Sequence, residues 1–303
     1  MKNIKNKKII VTGGAGFIGS HTVNALVERG ASVVIIDNLG VGRKENINPK
    51  AKFYKMNIAD PKVKNVFIKE KPDVVYHFTF NALYQELDEN ALFDSDSIAG
   101  SINLFKNCQK YGVKKVIFAS SGFLYGNTEN LPTNEQGPID PISSYVVAKN
   151  SVENYLRFFN KEFGLPYVIF RYGTAYGPGQ VNGAMSDYIN TLVGDQTANF
   201  WGDGSKTRDY IYIDDIVRAN LLALDLPDSY RDPIFNVGTG VETSVYGLYK
   251  KIAKLLNKDA KPVFLPDRPG EIRRVCLDSS KVKRVLGWEA KINLDEGLKK
   301  RVT

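Results

Sequence analysis

The chain has 303 residues, of which 43% are hydrophobic, so it is long enough to bury a large core. It contains no run of about 18 apolar residues, and its short Asn/Lys-rich start leads directly into an apolar strand, so we expect neither a transmembrane helix nor a signal peptide, but a cytoplasmic protein without a membrane partner. The net charge of +8 comes from scattered lysines, which predicts a solvated surface and no nucleic-acid partner, while two cysteines and two histidines without ligand spacing predict no metal site.

Six apolar runs rich in β-branched residues alternate with amphipathic segments in the first part of the chain. The predicted strands are KKIIVTG, SVVIIDN, AKFYKMN, DVVYHF, KKVIFASS and YVIFRYG. Helical periodicity occurs between them, for example over residues 21–29 and 63–69. This alternation predicts an α/β fold with a doubly wound parallel sheet of the Rossmann type.

The pattern becomes irregular after Tyr176, where glycine and proline interrupt it. A short strand is predicted at residues 210–213 and a late helix at residues 247–256. We expect residues 1–173 to form a nucleotide-binding Rossmann domain and residues 174–303 to form mainly a smaller C-terminal substrate-binding portion. Residues 209–239 are expected to return to the first domain.

The first predicted strand runs into the glycine series Gly13-x-x-Gly16-x-x-Gly19, which opens a predicted helix. Such glycines permit a tight turn, a close approach of the backbone to a pyrophosphate, and close packing of a helix whose first N–H groups bind phosphate. Asp37 ends the second strand, where a carboxylate binds a ribose 2′-hydroxyl and repels a 2′-phosphate. The nearest arginine, Arg43, lies further along the loop, so the sequence predicts NAD in preference to NADP.

Tyr145 and Lys149 are four residues apart on a predicted helix and therefore share one face. A tyrosine with the usual pKa of about 10 needs about 4 kcal/mol of phenolate stabilisation to act as a base near neutrality, and a neighbouring ammonium supplies it. Ser120 and Ser121 end the strand KKVIFASS, at the edge where parallel sheets bind ligands, and Ser121 is the better candidate for a bond to the reacting oxygen. We predict that Ser121, Tyr145 and Lys149 are catalytic.

A series of motifs extends this pattern over nearly the whole chain. In order they are TGGAGFIGSH, DNLGVG, PDVVYHF, SSGFLYG, SSYVVAK, RYGTAYGPGQ, WGDGSKTRDYIYIDDI, FNVGTG, RPGEIRR and LGW. Through them the chain resembles the extended short-chain dehydrogenase/reductases that act on nucleotide sugars, the group of UDP-glucose 4-epimerase and its dehydratase relatives. The resemblance implies an NAD-dependent enzyme of carbohydrate metabolism that acts on a nucleotide-diphosphate sugar, UDP-linked, and that forms a homodimer.

The resemblance also implies the binding residues, position by position. The implied NAD contacts are Gly13, Gly16, Phe17, Ile18, Gly19, Asp37, Asn38, Asn57, Ile58, Phe78, Tyr145 and Lys149. The implied substrate contacts are Ser121, Tyr145, Thr174, Arg208 and Arg268. The two arginines match positions from which the family binds the diphosphate, a role that suits a permanently charged, forked guanidinium.

Five positions depart from the family pattern. Thr79 and Phe80 stand where the family usually has small residues, near the expected nicotinamide pocket. Ser97 and Thr174 replace asparagines that the family often carries, and Asn57 replaces an aspartate that contacts adenine. We expect these changes to alter how the ligands are held without removing the Tyr145–Lys149 pair.

One further position bears on the size of the sugar. Val275 matches a site that borders the sugar C2 substituent in the family's 4-epimerases, where a bulky aromatic residue excludes N-acetyl groups. The small valine predicts that N-acetylhexosamine nucleotides are accepted at least as well as plain hexose nucleotides. The alternative is a core residue that points away from the sugar.

The residues after Ser121 decide among the family's reactions. Dehydratases need a carboxylate next to the catalytic hydroxyl, and decarboxylating relatives use a glutamate at the second position, whereas this chain has Gly122 and Phe123. The prediction is therefore a nucleotide-sugar 4-epimerase, which oxidises C4 transiently and returns the hydride to the opposite face. The alternatives are a dehydratase or a 4-keto-sugar reductase of the same family, or a non-catalytic protein of this fold that binds NAD or RNA.

Overall fold

The computed structural model describes residues 4–80, 87–259, 261–268 and 271–302. The strands of these ranges are β1 (Lys8–Thr12), β2 (Ser32–Asp37), β3 (Lys52–Lys55), β4 (Val74–His77), β5 (Lys115–Ser121), β6 (Tyr167–Tyr172), β7 (Thr174–Tyr176), β8 (Asn199–Trp201), β9 (Thr207–Tyr212), β10 (Ile234–Val237), β11 (Glu242–Ser244) and β12 (Val263–Leu265). The helices are α1 (Phe17–Glu28), α2 (Val63–Glu70), α3 (Leu87–Lys110), α4 (Ser144–Phe163), α5 (Ala184–Val193), α6 (Ile213–Leu222), α7 (Val245–Leu256), α8 (Ser280–Leu286) and α9 (Leu294–Val302).

Seven strands form one parallel sheet in the order β10-β6-β5-β4-β1-β2-β3. The six strands predicted from apolar runs all lie in it, and the predicted doubly wound parallel sheet is confirmed. The order reverses direction at β1, because the chain adds strands to one side of β1 and then to the other. Such a reversal opens a crevice at the carboxyl ends of the strands, where ligands of α/β proteins bind.

The sheet is buried on both faces, which explains why its strands are apolar at successive positions. Side chains alternate between the faces, so Ile9 and Val11 of β1 pack into one core cluster, while Ile10 packs into the other. All three side chains are fully buried. The sheet is therefore a rigid platform that sets the positions of the residues at its edge.

Helix α4 has a defined start and end, and it carries the predicted base. Its cap residue Ser143 accepts a hydrogen bond from the N–H of Val146 at 3.3 Å. It ends at Gly164, which has the left-handed conformation (φ 69°) that terminates helices. The apolar residues between pack against the sheet and α3, so the register of the helix relative to β5 is fixed by burial.

A smaller part of the chain builds two short sheets over the carboxyl edge. Strand β9 pairs with β7 and β11 in one, and β12 pairs with β8 in the other. Within residues 209–239, β10 lies in the large sheet beside β6, and α6 contacts that layer through Asn220, whose carbonyl accepts from the hydroxyl of Tyr76 at 2.8 Å. Strand β9 belongs to a small sheet instead. The division at residue 173 stays a prediction.

The two cysteines, Cys108 and Cys276, are buried and form no disulfide bond. Burial raises the pKa of the Cys276 thiol to about 12, so it is protonated at neutral pH. Across residues 4–80, 87–259, 261–268 and 271–302, no three His, Cys, Asp or Glu side chains gather where they could hold a metal ion. No helix in the same ranges is long and apolar enough to cross a membrane.

Candidate active site

The loop after β1 is closed so tightly that it requires glycine. Gly13 has φ 70°, and a Cβ atom there would lie 2.7 Å from the backbone nitrogen of Thr79. A Cβ atom on Gly19 would lie 2.0 Å from the carbonyl oxygen of Gly13, which is the close packing of α1 on the loop that the motif predicts. Gly16 caps α1 without a side-chain acceptor, so its first turn presents backbone N–H groups at the loop. This cradle fits a pyrophosphate.

Asp37 lies beside that loop at the end of β2. Its side chain is buried, and its carboxylate accepts the N–H of Ala15 at 3.0 Å and the N–H of Leu39 at 2.8 Å. These two bonds hold the carboxylate at the lip of the glycine loop, where a bound adenosine ribose would lie. The N–H of Arg43 donates to the carbonyl of Ala15 at 3.0 Å, and the Arg43 guanidinium is directed to Glu45 at 3.6 Å. The geometry favours a 2′-hydroxyl over a 2′-phosphate.

The other predicted NAD contacts lie near the carboxyl ends of neighbouring strands. Phe78 follows β4 directly, and its N–H donates to the carbonyl of Thr12 at 3.0 Å. Ile58 is buried, while Asn57 is exposed and accepts the N–H of Ala59 at 2.9 Å in a local turn. Asn38 is exposed and accepts from its own loop in the same way. These roles stay predictions.

Tyr145 and Lys149 occupy the first turns of α4, on the face turned toward β5. Lys149 is only 4% exposed, and its Nζ donates to the carbonyl of Ala119 at 2.6 Å. The same Nζ lies 5.8 Å from the centre of the Tyr145 ring. The helix therefore presents a phenol and a desolvated ammonium side by side, and electrostatic effects between such groups are stronger than in water.

The two serines that end β5 have different surroundings. The hydroxyl of Ser120 donates to Glu153 at 2.6 Å and is directed into the protein. The hydroxyl of Ser121 accepts the N–H of Phe123 at 3.1 Å, a bond that caps the short 3-10 turn Gly122–Tyr125 and does not use the O–H proton. This difference favours Ser121 over Ser120 as the hydroxyl that meets a substrate.

Two of the predicted substrate residues lie on the three-stranded small sheet. Arg208 is on β9, and its guanidinium carbon lies 5.5 Å from the ring centre of Phe123, in the turn that follows Ser121. Thr174 begins β7 and pairs with Tyr210 of β9. Its Oγ1 atom is buried and has no hydrogen-bond partner among the residues that the structure describes, so it is a polar atom that a ligand could satisfy.

Arg268 lies on a different segment, with its guanidinium carbon 3.8 Å from the ring centre of Trp201. Lys206, two residues before Arg208, links the two arginine segments. Its Nζ donates to the carbonyl of Trp201 at 3.1 Å and contacts Asp267 at 2.5 Å. Lys206 therefore ties the start of the Arg208 strand segment to Trp201 and to Asp267, the neighbour of Arg268.

Two buried groups near the site were missed in the sequence. Glu153 lies four residues after Lys149, so the spacing that indicated the Tyr–Lys pair continues into it, and it accepts from Arg171 at 2.7 Å. His77 ends β4, and burial lowers its pKa to about 3, with the charge of Lys149 acting in the same direction. It lies between the hydroxyls of Thr12 and Ser101, each at 2.8 Å. Both groups form hydrogen bonds within the protein and so support the residues of the site.

Comparison with known proteins shows which family this chain is similar to. The model of the NAD dependent epimerase/dehydratase family matches residues 9–238. A putative UDP-glucose 4-epimerase of Methanocaldococcus jannaschii is 38% identical over 300 residues, which is 97% of each chain. The structure of the Thermotoga maritima UDP-glucose 4-epimerase with UDP-glucose is similar with a TM-score of 0.93 and 41% identity over 97% of each chain. The structure of the Thermus thermophilus UDP-glucose 4-epimerase complex with NAD is similar with a TM-score of 0.91 and 32% identity, also over 97% of each chain.

Proposed function

Because this chain belongs to the NAD-dependent epimerase/dehydratase family, we propose that it is a nucleotide-sugar 4-epimerase that uses NAD and acts on UDP-linked sugars. The observation that carries this proposal is the Tyr145–Lys149 pair, whose lysine donates to Ala119 of β5, the strand that ends at Ser121. Ser121 is followed by Gly122 and Phe123 in place of a carboxylate. A base without a neighbouring acid suits oxidation and reduction at one carbon. It does not suit the elimination of water, which needs an acid at the leaving group.

Each residue of the site has its own role in the proposed reaction. Tyr145 takes the proton of the sugar C4 hydroxyl, and the Lys149 ammonium stabilises the phenolate that does so. Ser121 donates a hydrogen bond to the same oxygen and orients it. Bound NAD supplies the hydride acceptor and donor. Since the hydride returns to the opposite face, the 4-keto sugar must turn within a pocket that still holds its diphosphate, and Arg208 and Arg268 supply that anchor.

The test is product analysis. Purified protein is incubated separately with UDP-glucose, UDP-galactose and UDP-N-acetylglucosamine, and the sugars are followed by proton NMR. We expect the C4 epimer to accumulate to equilibrium, without added reductant and without a methyl signal at C6. A 6-deoxy-4-keto product would identify a dehydratase, and turnover only with added reduced cofactor would identify a reductase. Tyr145→Phe is the control for contaminating activity.

The acceptance of N-acetylated sugars follows from Val275. This residue is 4% exposed, and its N–H donates to the carbonyl of Thr207 at 3.3 Å, beside the strand that carries Arg208. A valine beside the sugar leaves room for a C2 acetamido group. We expect Val275→Tyr to lower kcat/KM for UDP-N-acetylglucosamine at least tenfold more than for UDP-glucose. Equal losses for the two sugars would show that Val275 does not border the C2 substituent.

The protein pairs with a second copy through α4. Val147, Tyr155 and Phe158 lie along one side of this helix and are 47%, 40% and 48% exposed. Single exposed apolar residues are ordinary, but three on one side of a single helix indicate an interface. We expect light scattering to give twice the mass of one chain. Phe158→Glu should yield monomers, whereas Ile68→Glu, which replaces a 52% exposed residue on α2, should leave the mass unchanged.

The cytoplasm is the proposed location. Two buried, unpaired cysteines suit a reducing compartment, where disulfide bonds rarely persist. Fractionation of cells that express the protein at its natural level tests this, and recovery with the membrane pellet would contradict it.

A further inference from the structure

Phe80 lies directly against the pair that performs the proposed chemistry. The Nζ atom of Lys149 is 3.9 Å from the centre of the Phe80 ring. The rings of Phe80 and Tyr145 meet edge to face, with centres 5.6 Å apart and an angle of 87° between their planes. Phe80 thus touches both members of the pair from the segment that follows β4, on the side opposite their own helix.

The surroundings of the Lys149 ammonium show what this ring does. A buried ammonium must exchange its water for other partners. One partner is the carbonyl of Ala119 at 2.6 Å, and the face of Phe118 contributes at 4.9 Å. The Phe80 ring is nearer, within the range where the negative face of an aromatic ring attracts a cation. An aliphatic side chain of the same size would exclude water but would not offer that charge distribution.

We propose that Phe80 is a positioning residue for the reaction: its ring holds the Lys149 ammonium against Tyr145 and excludes water from between them. The inference rests on the proposed function, because it assigns Phe80 a role in preparing the base of that reaction. Phe80 is not part of the Tyr–Lys motif, so the spacing of that motif does not reveal it. Phe80 touches no reacting atom and acts only through Lys149 and Tyr145.

The consequence is a change in the pH dependence of turnover. If an aliphatic side chain replaces the ring, the ammonium loses the attraction of the ring face and is held less firmly beside Tyr145, so Tyr145 holds its proton to higher pH. Among the residues that the structure describes, the titratable groups at this position are Tyr145 and Lys149 on α4 and His77 on β4. Burial keeps the pKa of His77 at about 3, so it does not titrate in the working range. The acidic limb of the profile therefore reports on the pair itself.

The experiment compares Phe80→Leu and Phe80→Met, which remove the ring at similar volume, with Phe80→Tyr, which retains it. We expect the leucine and methionine variants to lose about tenfold in kcat at neutral pH, with KM for the sugar within about twofold. The acidic limb of their pH profiles should move up by about one pH unit. This is the shift expected when a desolvated cation–π contact is lost. Phe80→Tyr should remain near the unmodified enzyme. The matched control is Phe53→Leu, a partly buried phenylalanine on β3, which should change neither quantity.

Two results would overturn the proposal. Unchanged kcat and an unchanged acidic limb in the leucine and methionine variants would reduce Phe80 to a space-filling residue. Tighter NAD binding together with faster turnover in those variants would identify the ring as an obstacle to the cofactor.

A readout without turnover separates this inference from the proposed function. Ring-labelled tyrosine is titrated by NMR in the unmodified protein and in Phe80→Leu, and the Tyr145 signal is assigned with Tyr145→Phe. An upward shift of its midpoint in Phe80→Leu supports the proposal even if no epimer forms, and no shift overturns it. Failure to form any epimer in the unmodified protein would refute the proposed function alone.

Discussion

Lys149 has surroundings that differ greatly from those of an ordinary surface lysine. Its spacing from Tyr145 is visible in the sequence, because residues four apart share a helix face. Its carbonyl partner Ala119 and its ring partner Phe80 are not, because they lie on segments far away in the chain. The sequence therefore predicts the pair, and only the packing of α4 on β5 reveals how the charge is desolvated.

Removal of the Tyr145 hydroxyl tests the base. We expect Tyr145→Phe to lower kcat by about 10² or more while NAD and UDP-sugar binding stay nearly intact, since only the proton-transferring group is lost. Single-turnover kinetics and calorimetric titration measure the two effects separately. Turnover within a few-fold of the unmodified enzyme would refute the assigned role.

The Asp37 carboxylate tests the choice of cofactor. Asp37→Ala removes the group that accepts from a ribose 2′-hydroxyl and repels a 2′-phosphate, so NAD should bind more weakly and NADP more tightly. We expect the ratio of the two dissociation constants to fall at least tenfold in fluorescence titrations. Glu28→Ala is the control, because it changes an exposed carboxylate at the far end of α1. Stronger binding of NADP than NAD by the unmodified protein would contradict the assignment.

At the scale of elements, α4 is fastened to the sheet by a buried polar network. Glu153 accepts from Ser120 on β5 and from Arg171 on β6, and Arg171 donates to the hydroxyl of Tyr125 at 2.9 Å. That hydroxyl donates to Asn236 of β10 at 2.8 Å. The helix that carries the base is thereby tied to three strands through residues that are at most 5% exposed.

Because of this network, we expect replacement of Glu153 to destabilise the protein strongly. Glu153→Gln should lower the free energy of unfolding by about 3–5 kcal/mol, because it leaves the Arg171 charge buried without its counterion. Denaturant titration measures the loss, and Glu153→Gln combined with Arg171→Met should recover part of it. Arg157→Ala removes the partly exposed partner of the same carboxylate, at 3.4 Å, and should cost at most about 1 kcal/mol. Equal losses in the two single variants would contradict this account.

The boundaries of the elements show where sequence reasoning stops. The long apolar strands of the large sheet were predictable because burial on both faces demands continuous apolar residues. Strand β9 was predicted at residues 210–213 but extends over Thr207–Tyr212, because its first residues pair with β11. That pairing joins short polar segments distant in the chain, and it leaves no periodic signal in either.

At the scale of the whole molecule, His77 lies at the junction of three elements. The hydroxyl of Ser101 donates to the carbonyl of Ser97 at 2.6 Å, so the Nε2–H of His77 donates to Ser101. Its Nδ1 then accepts the hydroxyl proton of Thr12. The neutral ring thus links β4 to β1 and α3, and protonation disturbs all three contacts.

This linkage predicts how stability depends on pH. The pKa of His77 is about 3 in the folded protein and about 6.5 when unfolded, so the unfolded chain binds one more proton between these values. The contribution of His77 to the free energy of unfolding is complete above about pH 6.5. It decreases by about 1.4 kcal/mol per pH unit as the pH falls toward 3. We expect His77→Gln to flatten the profile by that slope in urea titrations at successive pH values. Parallel profiles for the two proteins would contradict the assignment.

The position of β10 at one edge of the large sheet has a consequence for synthesis on the ribosome. Residues 234–237 cover β6, whose own residues 167–172 emerge much earlier. At about 5–20 residues per second, several seconds pass in which the nascent chain exposes the free edge of an apolar strand. An uncovered edge of this kind is a template for pairing with another chain. Chains that terminate prematurely before residue 234 never cover it, and they are therefore the products of this gene that aggregate first.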